Sequence, residues 1–137
     1  MFDVLVVDDD PDIRGMLVCT LEGHGFQVRG AADGAEALQL IHERTPDAMV
    51  LDLMMPNIDG FTLLEQLRTE GRTHDIEVVI LSCRSDEAAL VRSWELGASD
   101  YLVKPTDPDV LAARLRSLLA GSLRPPPAAS APATSAR

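Results

Sequence analysis

The chain has few positive charges, few cysteines and no long apolar runs, and each shortage excludes a class of protein. Its 12 lysines and arginines face 22 acidic residues, which leaves a net charge of −10 over 137 residues. Such a chain repels a phosphate backbone, so we expect no direct nucleic-acid binding by it. No apolar run approaches the roughly 20 residues of a membrane helix, and no secretory signal pattern is visible. Cys19 and Cys83 lack the CxxC spacing and are interpreted as reduced thiols of a cytoplasmic protein.

The composition is that of one globular domain, because 46% of the residues are hydrophobic and 25% are charged. Three apolar runs, at Val4–Val7, Ala48–Leu51 and Val78–Leu81, are continuous instead of alternating. Continuous runs are typical of parallel strands that helices cover on both faces. The weaker segments Gln27–Ala31 and Asp100–Val103 fit the edge strands of the same sheet.

A helical pattern follows each of the five strands. The first begins at Pro11, a favoured residue in a first helical turn, and ends near Gly23 and Gly25. The other four are predicted over residues 33–44, 60–71, 85–97 and 107–121. This alternation predicts an α/β fold of five βα units, a doubly wound three-layer sandwich with right-handed crossovers and a parallel sheet.

The composition changes after Gly121. Residues 122–137 contain four prolines, and Leu123 is their only large apolar residue. Such a segment buries too little apolar surface to offset its ordering entropy. We therefore expect a folded domain over residues 1–121 and a flexible Pro/Ala/Ser-rich tail or linker over residues 122–137.

Polar side chains follow four of the predicted strands at the point where each strand ends. They are Asp8 and Asp9 after the first strand, Asp52 after the third, Ser82 after the fourth and Lys104 after the fifth. The carboxyl ends of parallel strands share one edge of the sheet, and ligands bind there in folds of this kind. Three carboxylates suit Mg²⁺, and a hydroxyl and an ammonium opposite them suit a phosphoryl group.

These residues stand in segments that resemble a known family. "VVDDD", "VLDLMMPNIDG", "ILS" and "DYLVKP", in this order, are similar to the receiver domain of two-component response regulators, over residues 1 to about 121. The resemblance implies a flavodoxin-like fold with strand order 2-1-3-4-5. It implies a phosphoryl group received from a histidine kinase or a phosphotransfer protein. It also implies that the chain catalyses only its own phosphorylation and dephosphorylation, and is otherwise no enzyme.

The resemblance assigns the phosphoacceptor role to Asp52. It implies that Asp9 and Asp52 bind Mg²⁺ or Mn²⁺, together with the backbone carbonyl of Met54 and with Asp8 through a metal-bound water. Asp10 stands beside these carboxylates but directly before a proline, which favours a helix N-cap over a metal ligand.

The resemblance places Ser82 and Lys104 on the phosphoryl oxygens. Lys104 is the only lysine beside eleven arginines, which fits a site where a compact ammonium serves better than a planar guanidinium. Pro105 corresponds to the family's cis-peptide position next to that lysine. In receivers the hydroxyl at Ser82 moves towards the phosphoryl group and the ring at Tyr101 turns inward, so these two are the expected switch residues. Plain packing on an edge strand is the alternative for Tyr101.

Two positions are expected to set how long the phosphoryl group lasts. In receivers, Met54 (two residues after Asp52) and Arg84 (two residues after Ser82) line the route of the attacking water. A bulky apolar side chain and a phosphate-binding side chain both exclude water, so slow self-dephosphorylation is predicted.

An output surface is expected on the fourth helix, the fifth strand and the fifth helix, where some receivers form homodimers. The match to the dimer face of winged-helix transcription regulators is partial, because Leu90 and Val110 stand where a charged pair is usual. Core packing of part of this set is the alternative. The expected interface residues are Leu90, Val91, Trp94, Asp100, Val110, Ala112 and Arg114, with an ion pair between Asp100 and Arg114.

Two other functions stay open on the sequence. A Mg²⁺-dependent phosphatase would use Asp52 as its nucleophile but would need a general acid at the position of Met54. A phosphorylation-independent interaction module would be expected to have lost part of the site, yet all five positions are filled. The segment 122–137 fits either the end of a stand-alone receiver or a linker to an effector domain, for example one that controls transcription.

Overall fold

The computed structural model describes residues 1–121, which form ten alternating strands and helices. The strands are β1 (Asp3–Val7), β2 (Gln27–Ala31), β3 (Ala48–Leu51), β4 (Glu77–Ser82) and β5 (Asp100–Val103). The helices are α1 (Pro11–Gly23), α2 (Gly34–Glu43), α3 (Gly60–Thr69), α4 (Glu87–Glu95) and α5 (Pro108–Leu119). Every predicted element is present in its predicted order, and only the ends differ. The predicted tail or linker at 122–137 lies outside the described residues.

The five strands form one parallel sheet in the order β2-β1-β3-β4-β5, which confirms the predicted order and places β2 and β5 at the edges. From β1 the chain first adds β2 on one side and then adds β3 to β5 on the other. The neighbours β1 and β3 therefore flank the point where the strand order reverses. Ligands of open parallel sheets bind beyond the strand ends at this point, which is where Asp8 and Asp52 stand.

Helices cover both faces of the sheet and enclose two apolar layers. Leu5 and Val7 of β1 pack in the layer under α2, α3 and α4, whereas Val4 and Val6 pack in the layer under α1 and α5. Successive side chains of a strand point to opposite faces, so a strand covered on both faces needs apolar residues at every position. This explains the continuous apolar runs. Among the described residues, no helix is long and apolar enough to cross a membrane.

The helices begin at the same edge of the sheet at which the strands end, here called the carboxyl edge. Each described helix is preceded by an aspartate whose carboxylate accepts a backbone N–H of the first turn, which satisfies donors that have no partner within the helix. For α1 this residue is Asp10, which confirms the N-cap prediction. The five capping residues are Asp10, Asp33, Asp59, Asp86 and Asp107.

Candidate functional site

Three carboxylates meet at the carboxyl edge, beyond the ends of β1 and β3. Asp8, Asp9 and Asp52 each offer an oxygen atom, and these atoms lie within 4.8 Å of one another. Asp8 and Asp52 are buried, whereas Asp9 is exposed. Hard oxygen donors with one side open to water fit Mg²⁺, an ion that usually keeps several of its waters. The structure thus brings together the three aspartates that the sequence grouped.

Lys104 joins two of these carboxylates. Its Nζ donates hydrogen bonds to Asp8 Oδ2 at 2.8 Å and to Asp52 Oδ2 at 3.2 Å. The side chain comes from the segment that follows β5, next to Pro105, and the peptide bond between these two residues is cis. Three carboxylates against one ammonium leave an excess of two negative charges (3 − 1 = 2), which a divalent cation balances.

The environment of the two central groups sets their protonation. Burial raises the pKa of Asp52, although the backbone N–H of Met54 and the Lys104 ammonium act against this rise. Burial alone would lower the pKa of Lys104, but its hydrogen bond to Asp8 and the charges of both aspartates outweigh this, and the pKa is raised. Lys104 therefore stays positive at neutral pH, while ionised Asp52 is costly until a further cation compensates it.

The two expected switch residues contact the same loop. Ser82, the last residue of β4, is fully buried, and its Oγ accepts a hydrogen bond from the backbone N–H of Arg84 at 3.3 Å. Tyr101 of β5 is half-buried, and its hydroxyl donates to the backbone carbonyl of Arg84 at 2.7 Å. Burial raises the pKa of Tyr101, so its hydroxyl remains a donor at neutral pH. The backbone N–H and the backbone carbonyl of Arg84 are thus both hydrogen-bonded, one to Ser82 and the other to Tyr101. The inward turn of Tyr101 stays a prediction.

Met54 and Arg84, the residues expected to govern phosphoryl lifetime, line one cleft. The Met54 side chain is exposed and stands in the segment that follows Asp52. The cleft has a volume of about 390 Å³ and opens between the segment after Asp52 and the β4–α4 loop. Its lining residues are Leu53, Met54, Met55, Asp59, Phe61 and Arg84.

Two residues that contact Arg84, namely Asp86 and Phe61, were not identified from the sequence. Asp86 holds the Arg84 side chain through an ion pair, with Arg84 Nη2 at 2.8 Å. Phe61 lies under two guanidinium groups, with the Cζ of Arg92 at 4.4 Å and that of Arg84 at 5.7 Å from its ring centre. The position of Asp86 before a helical pattern signals an N-cap, but no sequence signal identifies its partner. Phe61 has no signal beyond hydrophobicity.

The expected output surface is largely exposed, with one correction. Leu90, Val91, Trp94 and Val110 are between 38% and 49% exposed, and the predicted ion pair is present, with Arg114 Nη1 at 2.6 Å from Asp100 Oδ2. Ala112 has no exposed surface and packs in the layer under α1 and α5. Placing Ala112 on this surface was wrong. It lies two residues after the exposed Val110, and residues two apart on a helix point to nearly opposite sides.

A close backbone approach positions the segment that carries Asp52. A Cβ added at Gly60, the first residue of α3, would stand 2.7 Å from the carbonyl oxygen of Asp52 and 2.7 Å from the Cα of Leu53. Both atoms belong to the backbone, which cannot move aside without displacing Asp52.

We expect Gly60→Ala to lower the free energy of unfolding by about 1–3 kcal/mol and to slow phosphorylation, because the Asp52 segment must shift. Gly15 in α1 is the matched control, since nothing lies within 4 Å of an added Cβ there. Gly15→Ala is expected to raise stability by about 0.5–1 kcal/mol, because alanine loses less backbone entropy in a helix. Urea unfolding of both variants measures the difference, and equal effects would contradict it.

Comparisons with known proteins agree with this geometry. The family model of the response regulator receiver domain matches residues 4–116. The chain is 40% identical over 126 residues to the DNA-binding dual master transcriptional regulator RpaA of Synechocystis sp., covering 92% of this chain and 52% of that protein. It is 44% identical over 116 residues to response regulator MprA of a Mycobacterium species, covering 85% of this chain and 50% of that protein.

Solved structures show the same fold. The Vibrio cholerae chemotaxis protein CheY4 matches with a TM-score of 0.81 and 32% identity, over 85% of this chain and 97% of that one. The BeF3-activated N-terminal receiver domain of Klebsiella pneumoniae RstA matches with a TM-score of 0.76 and 35% identity, over 85% of this chain and 97% of that one.

The chain spans about half the length of the curated relatives it matches, so the matched half corresponds to one domain of those proteins. The family model covers nearly all of the described residues. Strand order, the aspartates at the carboxyl edge and the lysine after β5 agree with that match. This chain belongs to the response regulator receiver domain family of two-component signal transduction systems.

Proposed function

We propose that the chain accepts a phosphoryl group on Asp52 from a histidine kinase or a phosphotransfer protein. The observation that carries this proposal is the placement of Asp52. Its carboxylate is buried beyond the end of β3, 3.2 Å from the Lys104 ammonium and within one cluster with Asp8 and Asp9. A nucleophile with a fixed positive charge beside it and metal-binding oxygens around it is what phosphoryl transfer to a carboxylate requires.

In the transfer, an oxygen of Asp52 attacks phosphorus while the bond from phosphorus to the donor nitrogen breaks. The electron pair of that bond stays with the donor imidazole, so no oxidant or reductant takes part. Lys104 provides positive charge for the incoming oxygens, and the Ser82 hydroxyl provides a hydrogen bond once it turns towards them. Mg²⁺ or Mn²⁺, held by Asp8, Asp9, Asp52 and the Met54 carbonyl, would supply further charge neutralisation.

The site favours this function over a phosphatase. Hydrolysis of external phosphate esters needs a general acid beside the nucleophile to protonate the leaving oxygen. The residue two positions after Asp52 is Met54, whose exposed thioether side chain cannot donate a proton. Free Cys19 and Cys83 agree with a proposed location in the reducing cytoplasm, where a kinase domain would meet the chain.

Incubation with acetyl phosphate and Mg²⁺ tests the proposal directly. We expect the intact protein to gain the mass of one phosphoryl group, and we expect EDTA to prevent the gain. A protein that binds Mg²⁺ but gains no phosphoryl group would instead support the phosphorylation-independent interaction module.

The phosphoryl group is expected to last for minutes or longer. The Met54 side chain and the Arg84 side chain line the cleft beside the segment after Asp52, and a bulky apolar side chain and a phosphate-binding side chain there would both hinder an attacking water. After removal of the phosphodonor, intact mass recorded over time measures the decay. A half-life of seconds would contradict the prediction, and Met54→Ala is expected to shorten the half-life.

We further propose that phosphorylation favours a homodimer through α4, β5 and α5. Leu90, Val91, Trp94 and Val110 expose apolar surface there, and burial of such surface is the main driving force of association. The same face would control an attached output domain or another partner. Sedimentation with and without a phosphoryl mimic tests the dimer, and a monomer under both conditions would rule it out.

A further inference from the structure

The Arg84 guanidinium is bound by the carboxylate of Asp86, which also caps a helix. Arg84 Nε and Nη2 lie 3.0 Å and 2.8 Å from the two oxygens of Asp86, a bidentate ion pair. Asp86 is also the N-cap of α4, and its Oδ2 accepts the backbone N–H of Ala89 at 3.1 Å. The hydrogen bond from Arg84 is the main reason that the pKa of Asp86 is lowered to about 2, so the pair is charged throughout the physiological range.

The backbone of Arg84 is tied to the phosphoacceptor side of the domain, while its side chain points to α4. The backbone N–H bonds to Ser82 and the carbonyl accepts from Tyr101. The guanidinium lies over the Phe61 ring in the cleft that opens beside the segment after Asp52. A single side chain thus spans the distance between the phosphoacceptor cleft and the first turn of α4.

We propose that Asp86 is a positioning residue that competes with the phosphoryl group on Asp52 for the Arg84 guanidinium. A phosphoryl group carries about two negative charges and three acceptor oxygens, and it takes a guanidinium in the same bidentate fashion as a carboxylate. Before phosphorylation the guanidinium stays on Asp86. Afterwards it is shared between Asp86 and the phosphoryl oxygens, while Asp86 keeps its bond to the first turn of α4. This inference rests on the proposed phosphorylation of Asp52.

Because Asp86 is the N-cap of α4, this competition connects the start of α4 with the lifetime of the phosphoryl group. While Asp86 holds Arg84, the guanidinium is less available to shield the phosphoryl group from water. Asp86→Asn removes the charge that attracts Arg84 but keeps the helix cap, because asparagine caps about as well as aspartate. An exposed ion pair of this kind is weak, so the expected effect on the lifetime is no more than about fivefold.

The test is a double-mutant cycle on the decay of the phosphorylated protein. Wild type, Asp86→Asn, Arg84→Gln and the double variant are phosphorylated with acetyl phosphate and Mg²⁺, and intact mass is followed after removal of the donor. We expect a lifetime longer by up to about fivefold for Asp86→Asn and a shorter one for Arg84→Gln. In the Arg84→Gln background, Asp86→Asn is expected to have no effect. An unchanged lifetime in Asp86→Asn, or an equal effect in both backgrounds, would overturn the inference.

Arg92→Gln is the matched control. Arg92 packs on the same Phe61 ring from α4, so this variant removes one guanidinium from the ring and leaves the Arg84–Asp86 pair in place. We expect a lifetime close to wild type and the full effect of Asp86→Asn in this background. Loss of that effect would overturn the competition. If the wild type itself gains no phosphoryl group, both the proposed function and this inference fail. If the wild type is phosphorylated but the effects of Asp86→Asn and Arg84→Gln are independent, only the competition is refuted.

Discussion

Asp52→Asn is expected to abolish phosphoryl acceptance, with no mass gain after incubation with acetyl phosphate and Mg²⁺. The amide has nearly the same size and accepts the same hydrogen bond from the backbone N–H of Met54, so the loop has no reason to move. It lacks the negatively charged oxygen that the proposed transfer requires as nucleophile, and it is a weaker metal ligand. The matched control is Asp33→Asn, which removes one carboxylate from the N-cap of α2 at the same edge. It is expected to be phosphorylated like the wild type.

The stability of Asp52→Asn provides a second readout. Burial raises the pKa of Asp52, so the carboxyl group favours the folded state while it is protonated, and this contribution is lost as the pH rises through its folded-state pKa. Asparagine stays neutral at every pH. Without metal, the variant is therefore expected to be more stable than the wild type at neutral pH, and the difference is expected to shrink in acid. Phosphorylation of Asp52→Asn at the wild-type rate would refute the assignment of the nucleophile.

Lys104→Met is expected to lower the free energy of unfolding of the metal-free protein by about 3 kcal/mol. Its ammonium is the partner of two buried carboxylates, at 2.8 Å from Asp8 and 3.2 Å from Asp52. Methionine keeps much of the side-chain volume but leaves the charges of Asp8 and Asp52, both buried, facing each other without a cation. Denaturant unfolding in EDTA measures the loss.

Two controls distinguish the loss of stability in Lys104→Met from the loss expected when any ion pair is broken. Arg114→Met breaks the pair with Asp100, whose arginine side chain is 46% exposed, and we expect a cost of about 1 kcal/mol or less. Mg²⁺ is expected to stabilise Lys104→Met more than it stabilises the wild type, because the ion then meets carboxylates that have no other cation. Equal losses in the two variants, or no extra stabilisation by Mg²⁺, would contradict the role of Lys104 as the partner of both aspartates.

The names and lengths of the relatives bear on what this domain would control. RpaA is named as a DNA-binding transcriptional regulator and is about twice as long as the matching part of this chain. This chain carries a net charge of −10 and matches the receiver domain family over residues 4–116. We therefore propose that its phosphorylation state is transmitted through the α4–β5–α5 face, to a second copy, to an attached domain or to a separate partner. The choice among these is settled by sedimentation and by the effect of substitutions at Trp94.

The alternation of strands and helices and the common edge of the candidate site followed from the sequence pattern, whereas the strand order followed from the resemblance of the motifs to receiver domains. Continuous apolar runs are typical of strands that are covered on both faces, and they identified the three central strands. The polar residue at the end of each strand then falls at a common edge, because all strands of a parallel sheet end on the same side. The sequence therefore predicts that Asp8, Asp52 and Lys104 lie together. The capping role of Asp10 followed from its position before a proline.

The side-chain partners were decided by the tertiary structure alone. The bonds of Lys104 to Asp8 and Asp52 join residues 96 and 52 positions apart, and sequence spacing cannot choose between carboxylates that lie at one edge. The pairing of Arg84 with Asp86 over Phe61 depends on where the β4–α4 loop lies on α3, which only packing determines.

Helix α5 combines one feature that the sequence determines with another that only the packing determines. Val110 and Ala112 both follow the apolar pattern of α5, yet Val110 is 46% exposed and Ala112 is fully buried. About 100° of rotation per residue separates the two side chains by roughly 200°. The sequence alone determined that this helix has an apolar face and that the carboxylates share an edge. Only the packed structure decided which face of α5 meets the sheet and which charges pair, because both depend on contacts between segments that are distant in the chain.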